Sequence, residues 1–311
     1  MPKISRKSKE AIKTTLFLVV VAVLFVVYII YPLNRTKAIM ARADIDDFDS
    51  DSLTINDAAA WVEAGLSPDT FRVDTDGQVS IACLFVPGMA DSAGVVRGTV
   101  CLLHSDKSNR DTLLPAAQAL VEHGWNVIAY DQRATRLSTG KYHGDGTQEA
   151  SDLVEVIRWL DLRERIVHPL IVAGFELGGD AALLAAREDS RIDRMVAIDP
   201  YLTTLQMWDR LRDRHDTYWF PLFRSTMSWW YEMRSSYAAP TRKIDDIKPV
   251  TCPTLLLTAP ERTDGPELVR LVELSGPQML TVDKRPFSLS DLAGTIEGFR
   301  VLTEDESSIG Q

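Results

Sequence analysis

Residues 170–179 read LIVAGFELGG, an apolar run that enters a turn framed by glycines. The run from Leu170 to Ala173 is typical of a buried strand, and the residues from Leu177 onward have a helical pattern. Gly174 and Gly178 permit close approach of strand and helix, because a side chain at either position would clash. The stretch therefore predicts a sharp strand-to-helix turn with Glu176 at its apex.

Short apolar runs alternate with helical patterns on both sides of this turn. Besides Leu170–Ala173, strands are predicted at Phe71–Thr75, Val79–Val86, Thr99–Leu103, Asn126–Tyr130, Met195–Ile198, Thr254–Leu257 and Met279–Val282. Helices are predicted at Asp111–His123, Gln148–Leu162, Leu177–Arg187, Pro266–Leu274 and Leu289–Val301. The first two strands flank Asp76-Gly77, a hairpin signal. This order predicts an α/β fold, a mostly parallel eight-stranded sheet with helices on both faces.

An aromatic-rich stretch at about 201–249 interrupts the alternation between the sixth and seventh strands. It predicts a small helical cap inserted into a domain that spans residues 66–311. Two interpretations remain open. The insertion either packs its aromatic side chains on the body of the domain or forms a lid that contacts a ligand.

The N-terminal region has the charge pattern of a membrane protein. Residues 1–13 carry a net charge of +4, and the uncharged stretch from Thr14 to Asn34 contains an unbroken apolar or aromatic run, Leu16–Tyr31. At about 1.5 Å per residue that stretch spans roughly 30 Å of hydrocarbon. We predict a basic cytoplasmic tail at 1–13, one transmembrane helix at 14–33 that Pro32 can end, and a stalk with a short helix at 34–65.

The tail outweighs the three cations that follow the span, which predicts a single-pass protein with a cytoplasmic N-terminus and an extracytoplasmic domain. Two alternatives remain. Ala41-Arg42-Ala43 resembles a signal-peptide cleavage site, although it lies about ten residues beyond the apolar run. The run is also compatible with a buried core helix.

Composition excludes several classes of protein. The chain has 311 residues, 45% of them hydrophobic and 25% charged, which is typical of a globular protein. Residues 1–13 and 35–43 are net basic, which leaves −17 for residues 44–311 of the total −10. Such a body repels phosphate backbones, so we expect no nucleic-acid partner. The three cysteines allow at most one disulfide and are expected to be buried thiols.

Six short motifs follow one another along the chain between residues 77 and 179. They are Gly77, Leu102-Leu103-His104, Asn109-Arg110-Asp111, the run Gly124–Arg133, Leu137-Ser138-Thr139-Gly140 and Gly174–Gly179. Together they resemble the α/β-hydrolase superfamily, especially its lysophospholipase-like and serine-aminopeptidase-like branch. The resemblance covers roughly Leu66 to Val301 and implies the α/β-hydrolase fold.

The resemblance also implies that the catalytic triad is degenerate. The family carries G-x-S-x-G at the turn, and here Glu176 stands in the position of the nucleophilic serine. The family's histidine follows the eighth strand, where Pro286 aligns, and no histidine of this sequence lies beyond His215. The family's acid falls near Glu261 or Arg262 and has no histidine to orient.

The loop after the third strand departs from the family as well. The family has small residues whose backbone N–H groups face the developing oxyanion, whereas this chain has Ser105 and Asp106 after His104. A carboxylate there opposes the stabilisation of a negatively charged transition state. We therefore expect no standard serine-hydrolase activity.

Three hypotheses for Glu176 stay open. It caps the helix N-terminus or the vacant oxyanion site, it binds a cationic or amino-bearing ligand, or it acts in a non-standard mechanism together with His104 and His143. The simpler expectation is a buried, hydrogen-bonded His104 and a solvated His143. The candidate binding residues are Glu176, Leu177, His104, Ser105, Asp106 and His143.

The sequence thus favours a membrane-anchored, non-hydrolytic protein that binds a ligand or a protein, with the cleft under the cap as its site. No metal and no cofactor are expected. The alternative is an active esterase-, lipase- or peptidase-like hydrolase that uses non-standard residues around Glu176.

Overall fold

A computed structural model describes residues 6–41, 58–75, 79–106, 108–214, 226–227, 229–231, 242–259, 265–277, 279–284 and 289–299. Eight strands form one sheet. They are β1 Asp69–Thr75, β2 Val79–Val86, β3 Gly98–Leu103, β4 Trp125–Tyr130, β5 Leu170–Phe175, β6 Arg194–Ile198, β7 Thr254–Leu257 and β8 Leu280–Asp283.

The strands lie in the order β1-β2-β4-β3-β5-β6-β7-β8. The pairs β1–β2 and β2–β4 are antiparallel, and every pair from β4–β3 to β7–β8 is parallel. The expectation of a mostly parallel eight-stranded sheet is confirmed. Because β5 lies in the middle of the parallel part, the turn that follows it opens at the carboxyl edge of the sheet.

Helices cover both faces of the sheet, as predicted. The helices are α1 Arg6–Phe25, α2 Tyr31–Met40, α3 Ala59–Glu63, α4 Leu114–Glu122, α5 Thr147–Asp161, α6 Leu177–Glu188, α7 Thr204–Arg214 and α8 Pro266–Ser275, and residues 292–299 are also helical. One apolar layer joins α5, α6 and α8 to the sheet, and the other joins α3, α4 and 292–299. Successive strand residues point to opposite layers, which explains the unbroken apolar runs.

Two helices differ from the prediction at their first turn. The helix expected from Asp111 begins as a 3₁₀ turn at Arg110–Leu113, and regular α-helix starts at Leu114. Pro115 explains the boundary, since proline lacks an N–H and is tolerated only in the first helical turn. The last helix likewise starts with a 3₁₀ turn, Leu289–Asp291. The predicted turn at Asp76-Gly77 lies outside the described residues.

The N-terminal helix does not end at Pro32, which corrects the sequence prediction. α1 passes through a π-helical segment, Val26–Ile30, directly into α2, and the Tyr31 N–H donates to the Val26 carbonyl. A π turn leaves room where proline would clash with an α-helical carbonyl, so the helix continues. Residues 34–40 of the predicted stalk are helical.

Among the described residues, one helix, Arg6–Lys37, is long and apolar enough to cross a membrane. No residue of α1 is buried, and its large apolar side chains are 44% to 65% exposed. This exposure excludes the interpretation as a buried core helix. A membrane span and a signal sequence both fit it.

The chain divides into two compact units. One comprises residues 1–40 together with 205–241, and the other comprises residues 41–204 together with 242–311. The described part of the insertion is mainly α7 and is helical, as expected. Its role as a cap stays a prediction.

The three cysteines are buried and free, as predicted. Burial raises the pKa of Cys252 to about 11 and that of Cys83 well above its usual value. These thiols are therefore not activated as nucleophiles.

Candidate functional site

Glu176 occupies a strained backbone conformation between β5 and α6. Its φ is +49° and its ψ is −109°, a region that non-glycine residues rarely adopt. Two backbone hydrogen bonds hold the turn: the Glu176 N–H donates to the Ile198 carbonyl over 2.7 Å, and the Asp180 N–H donates to the Glu176 carbonyl over 3.0 Å. The predicted sharp turn is present.

Gly174 and Gly178 make this turn possible. A Cβ at Gly174 would lie 2.1 Å from the Gly178 carbonyl oxygen, and a Cβ at Gly178 would lie 2.6 Å from the His104 carbonyl oxygen. Both contacts are with backbone atoms, which cannot yield without moving a strand or a helix. The glycines therefore set the position of Glu176 at the edge of the sheet.

A cavity of about 490 Å³ opens at this turn. Glu176 lines it, beside the apolar side chains of Phe175 and Ile198. The other described lining residues are Ser105, Ser108, Thr112, Leu113, Asp199, Leu257, Thr258, Ala259 and Leu289. The wall thus combines an apolar base, several hydroxyl groups and two carboxylates.

Asp199 is a charged lining residue that the sequence analysis did not single out. It follows β6 directly with a φ of +49°, and its Oδ1 accepts hydrogen bonds of 3.2 Å from the Thr258 hydroxyl and the Ala259 N–H. Its place after a strand was the available signal, because the carboxyl ends of parallel strands share one edge. The two carboxylates come from adjacent strands, β5 and β6.

Glu176 does not cap α6. Its side chain accepts no capping hydrogen bond from the described first turn of that helix. The hypothesis of a helix cap is therefore not borne out by the geometry, whereas the cavity wall is where the residue lies.

His104 is buried and held as a neutral imidazole. Its Nε2 accepts the Gln132 N–H over 2.9 Å, and its Nδ1 lies 2.7 Å from the Ser105 carbonyl oxygen, to which it donates. Burial lowers the pKa of His104 to about 4, and the nearby Asp131 only partly offsets this. Both ring nitrogens are thus engaged, and the side chain serves the loop rather than proton transfer.

His143 is also buried, so the expectation of a solvated loop residue is wrong. Its Nε2 lies 3.4 Å from the Thr135 hydroxyl, in the loop between β4 and α5. It is close enough to His104 to contribute to the lowered pKa of that residue. Neither histidine is among the described residues that line the cavity.

Of the remaining predicted binding residues, one is among the described lining residues of the cavity and two are not. Ser105 lines the cavity with Glu176, whereas Leu177 is buried and lies outside the described lining. The Asp106 carboxylate accepts a hydrogen bond from the Tyr201 hydroxyl.

Across the described ranges, no three His, Cys, Asp or Glu side chains converge as metal ligands. Glu261, Arg262 and Pro286 lie outside the described residues.

The architecture matches known structures closely enough to identify the fold. An esterase from Pyrococcus furiosus superposes with a TM-score of 0.57 at 20% identity, covering 86% of this chain and 96% of the esterase. This chain has the α/β-hydrolase fold. A hydrolase from Pseudomonas aeruginosa PA01 (TM-score 0.52, 18% identity) is similar over 76% of this chain and 98% of its own.

One family model matches part of this α/β-hydrolase-fold chain. The X-Pro dipeptidyl-peptidase (S15 family) model matches residues 100–215, from β3 through the insertion's first helix. No curated protein matches the sequence. The similarities establish the superfamily and its hydrolase-like fold.

Buried charges hold the loops beside the cavity of this α/β-hydrolase fold. Asp180, in the first turn of α6, accepts the backbone N–H groups of Tyr201 and Leu202 over 3.0 and 2.8 Å. Arg242 reaches both Asp180, over 3.1 Å, and Asp145, over 3.4 Å. These contacts fix the chain that follows β6, and with it the surroundings of the Asp199 side of the cavity.

Proposed function

We propose that this protein is a membrane-anchored member of the hydrolase fold that binds a ligand at the turn between β5 and α6 and hydrolyses neither esters nor amides. The observation that carries the proposal is Glu176 itself. It takes the strained position of the family's nucleophile, and it lines a cavity.

The chemistry of the turn supports a non-hydrolytic role. A carboxylate lacks the hydroxyl that an acyl-enzyme requires, and no histidine of the sequence follows residue 215 to accept its proton. His104 cannot substitute, because burial lowers its pKa to about 4 and both of its ring nitrogens are engaged. Members of a triad act as a unit, so the loss of nucleophile and base removes the useful rate.

The lining of the cavity favours a cationic or amino-bearing ligand. Glu176 and Asp199 place two carboxylates on its wall, and none of the described lining residues is basic. Phe175 supplies an aromatic surface, and Ser105, Ser108 and Thr258 supply hydroxyl acceptors. An ammonium group that enters finds both a charge partner and hydrogen-bond acceptors.

Anchoring in a membrane is supported by the exposed apolar face of α1. An exposed apolar surface of this extent is unfavourable in water and is matched by lipid. The basic residues 1–13 precede it, and the acidic body follows it. We therefore place the N-terminus in the cytoplasm and the sheet-bearing unit outside it.

An active hydrolase with non-standard residues remains the second candidate, and the φ of Glu176 favours it. Backbone strain of this kind is characteristic of functional sites. Under this alternative, the carboxylate would act as an acid or a base, with Asp199 as its neighbour along the cavity wall.

Ligand binding is tested on the full chain in detergent or nanodiscs. Primary and quaternary alkylammonium compounds are titrated against the wild type, Glu176→Gln and the control Glu122→Gln, which alters an exposed carboxylate on α4. We expect at least one compound to bind the wild type and the control alike and to bind Glu176→Gln at least tenfold more weakly. A panel without any binding, or equal affinity for all three proteins, would overturn the assignment of the ligand.

A further inference from the structure

The insertion after β6 packs with the end of the N-terminal helix in a single compact unit. The Thr36 hydroxyl of α2 lies 2.8 Å from both the Pro32 carbonyl oxygen and the Met227 sulfur. Thr36 and Met227 are both buried. The contact joins residues 191 positions apart and ties the insertion to the helix that we propose as the membrane span.

The same unit carries a cluster of aromatic rings. Trp208 and Tyr231 meet edge to face at 6.1 Å, and both are buried. Trp229 and Trp230 meet at 4.6 Å with their planes inclined by 63°. Trp229 remains 46% exposed, so the cluster has a buried side and an outward side.

We propose that the Trp229–Trp230 pair is a second membrane contact, which lies in the headgroup region of the bilayer that α1 spans. This inference rests on the proposed anchoring of α1. It assigns the insertion a phospholipid surface as its partner.

The contact between Thr36 and Met227, two residues before Trp229, sets the level at which the insertion meets the helix. Thr36 is five residues beyond Tyr31, the last residue of the apolar run, which is about 7.5 Å along a helix axis. Each headgroup layer is roughly 5–8 Å thick, because a bilayer of 40–45 Å contains about 30 Å of hydrocarbon. The insertion is therefore attached to the helix at the level where the headgroups lie.

Tryptophan also has the chemistry of a residue at a membrane interface. Its ring is largely apolar but carries one N–H donor, so it is enriched where one end of a side chain is apolar and the other is wet. An exposed tryptophan next to another in water is unfavourable. At the headgroup level, both the ring and the N–H of Trp229 find suitable surroundings.

The test uses the full chain in phospholipid vesicles with nitroxide-labelled lipids. A single cysteine is introduced by Trp229→Cys, by Leu24→Cys near the middle of the apolar run of α1 or by Leu162→Cys, an apolar position on the sheet-bearing unit that is 74% exposed. Each is labelled with an environment-sensitive fluorophore. The unsubstituted chain, whose cysteines are buried, serves as the labelling blank.

We expect the label at 229 to be quenched at least twofold more by lipids with a shallow nitroxide than by lipids with a deep one, and the label at 24 to show the reverse order. Quenching at 229 no greater than that at 162, while the label at 24 is quenched, overturns the contact and leaves the anchor intact. Absence of quenching at both 24 and 229 overturns the anchor and the contact together.

A second measurement keeps the test independent of the cysteine variants. In the unlabelled chain, Trp229→Phe is expected to reduce the quenching of tryptophan emission by shallow nitroxide lipids, whereas Trp159→Phe, at a ring stacked on Phe71 of the sheet-bearing unit, serves as the control. Equal losses in the two variants would contradict the contact.

Discussion

The charged groups near the strand-to-helix turn lie in two different environments. One set is buried in the protein, and the other lines the cavity. Behind the turn, Arg133 and Asp152 form a two-pronged ion pair with both distances at 2.6 Å, and Asp180 accepts two backbone N–H groups. These groups are buried and bonded to fixed partners. On the wall, Glu176 and Asp199 line a cavity that admits solvent or a ligand, and Asp199 also accepts hydrogen bonds from Thr258 and Ala259.

The buried charges stabilise the fold, whereas the carboxylates on the cavity wall determine which ligands the cavity favours. A buried charge must keep its partners, because an unpartnered one costs several kcal/mol. The glycines at 174 and 178 set the backbone shape of the turn, and a carboxylate stands at its apex. Under the proposed function, the architecture of a hydrolase is retained without the serine nucleophile.

The largest effect is expected from Gly174→Ala. The added Cβ would lie 2.1 Å from a backbone oxygen, so strand and helix must separate, and we expect a loss of more than about 4 kcal/mol or a failure to fold. Gly294→Ala is the control, since a Cβ there has open space within a helix and should stabilise by roughly 0.5–1 kcal/mol. Denaturant unfolding of both variants measures the contrast, and similar midpoints would contradict the role of Gly174.

The next effect concerns the buried network. Asp180→Ala removes the acceptor of two buried backbone N–H groups and one of the two carboxylate partners of Arg242, and we expect a cost of about 3–5 kcal/mol. Asp69→Ala removes an exposed partner of Arg165 and should cost about 0–1 kcal/mol. Thermal and denaturant unfolding report both. A small loss for Asp180→Ala would show that the network does not hold the loop after β6.

Acidification tests the buried imidazole. The pKa of His104 is about 4 in the folded chain and about 6.5 in the unfolded chain, so the unfolded state binds the proton first. The stability that this residue contributes is complete above pH 6.5 and falls by up to about 3 kcal/mol as the pH drops toward 4.

Comparison with His104→Asn isolates that contribution, because the variant cannot titrate in this range. We expect its unfolding free energy to decline less than that of the wild type between pH 7 and pH 4.5. Parallel declines would show that His104 is not held neutral by burial.

The smallest effect, with the opposite sign, is expected from Glu176→Gly. Glycine adopts a positive φ without strain, and the side chain of Glu176 does not cap α6, so we expect a gain of about 1 kcal/mol. The same change at Glu155, inside α5, should cost about 1 kcal/mol. A destabilised Glu176→Gly would indicate that the carboxylate holds the turn together.

The sequence was sufficient for the sheet, the helices on both faces and the shape of the turn. Each of these depends on local features: apolar runs for the buried strands, amphipathic patterns for the helices, and glycines at 174 and 178 for the close approach. Strand ends were predicted within two residues because the runs are bounded by polar residues.

Other features depend on neighbours that are distant in sequence. Asp199 was missed because its place on the cavity wall follows from the pairing of β6 with β5 and β7. His143 was expected in solvent, whereas Thr135 and the surrounding loop enclose it. Pro32 was expected to end a helix, but the helix continues through it because the preceding π turn leaves room for the proline ring.

The most direct test of the proposed loss of hydrolase activity is turnover by the full chain. Hydrolysis of a panel of p-nitrophenyl esters and aminoacyl amides is measured for the wild type and for Glu176→Ala, together with labelling by a serine-reactive fluorophosphonate. We predict no labelling and equal rates for the two proteins, at the uncatalysed level. A wild-type rate at least tenfold above that of Glu176→Ala, or stoichiometric labelling of a serine, would contradict this account.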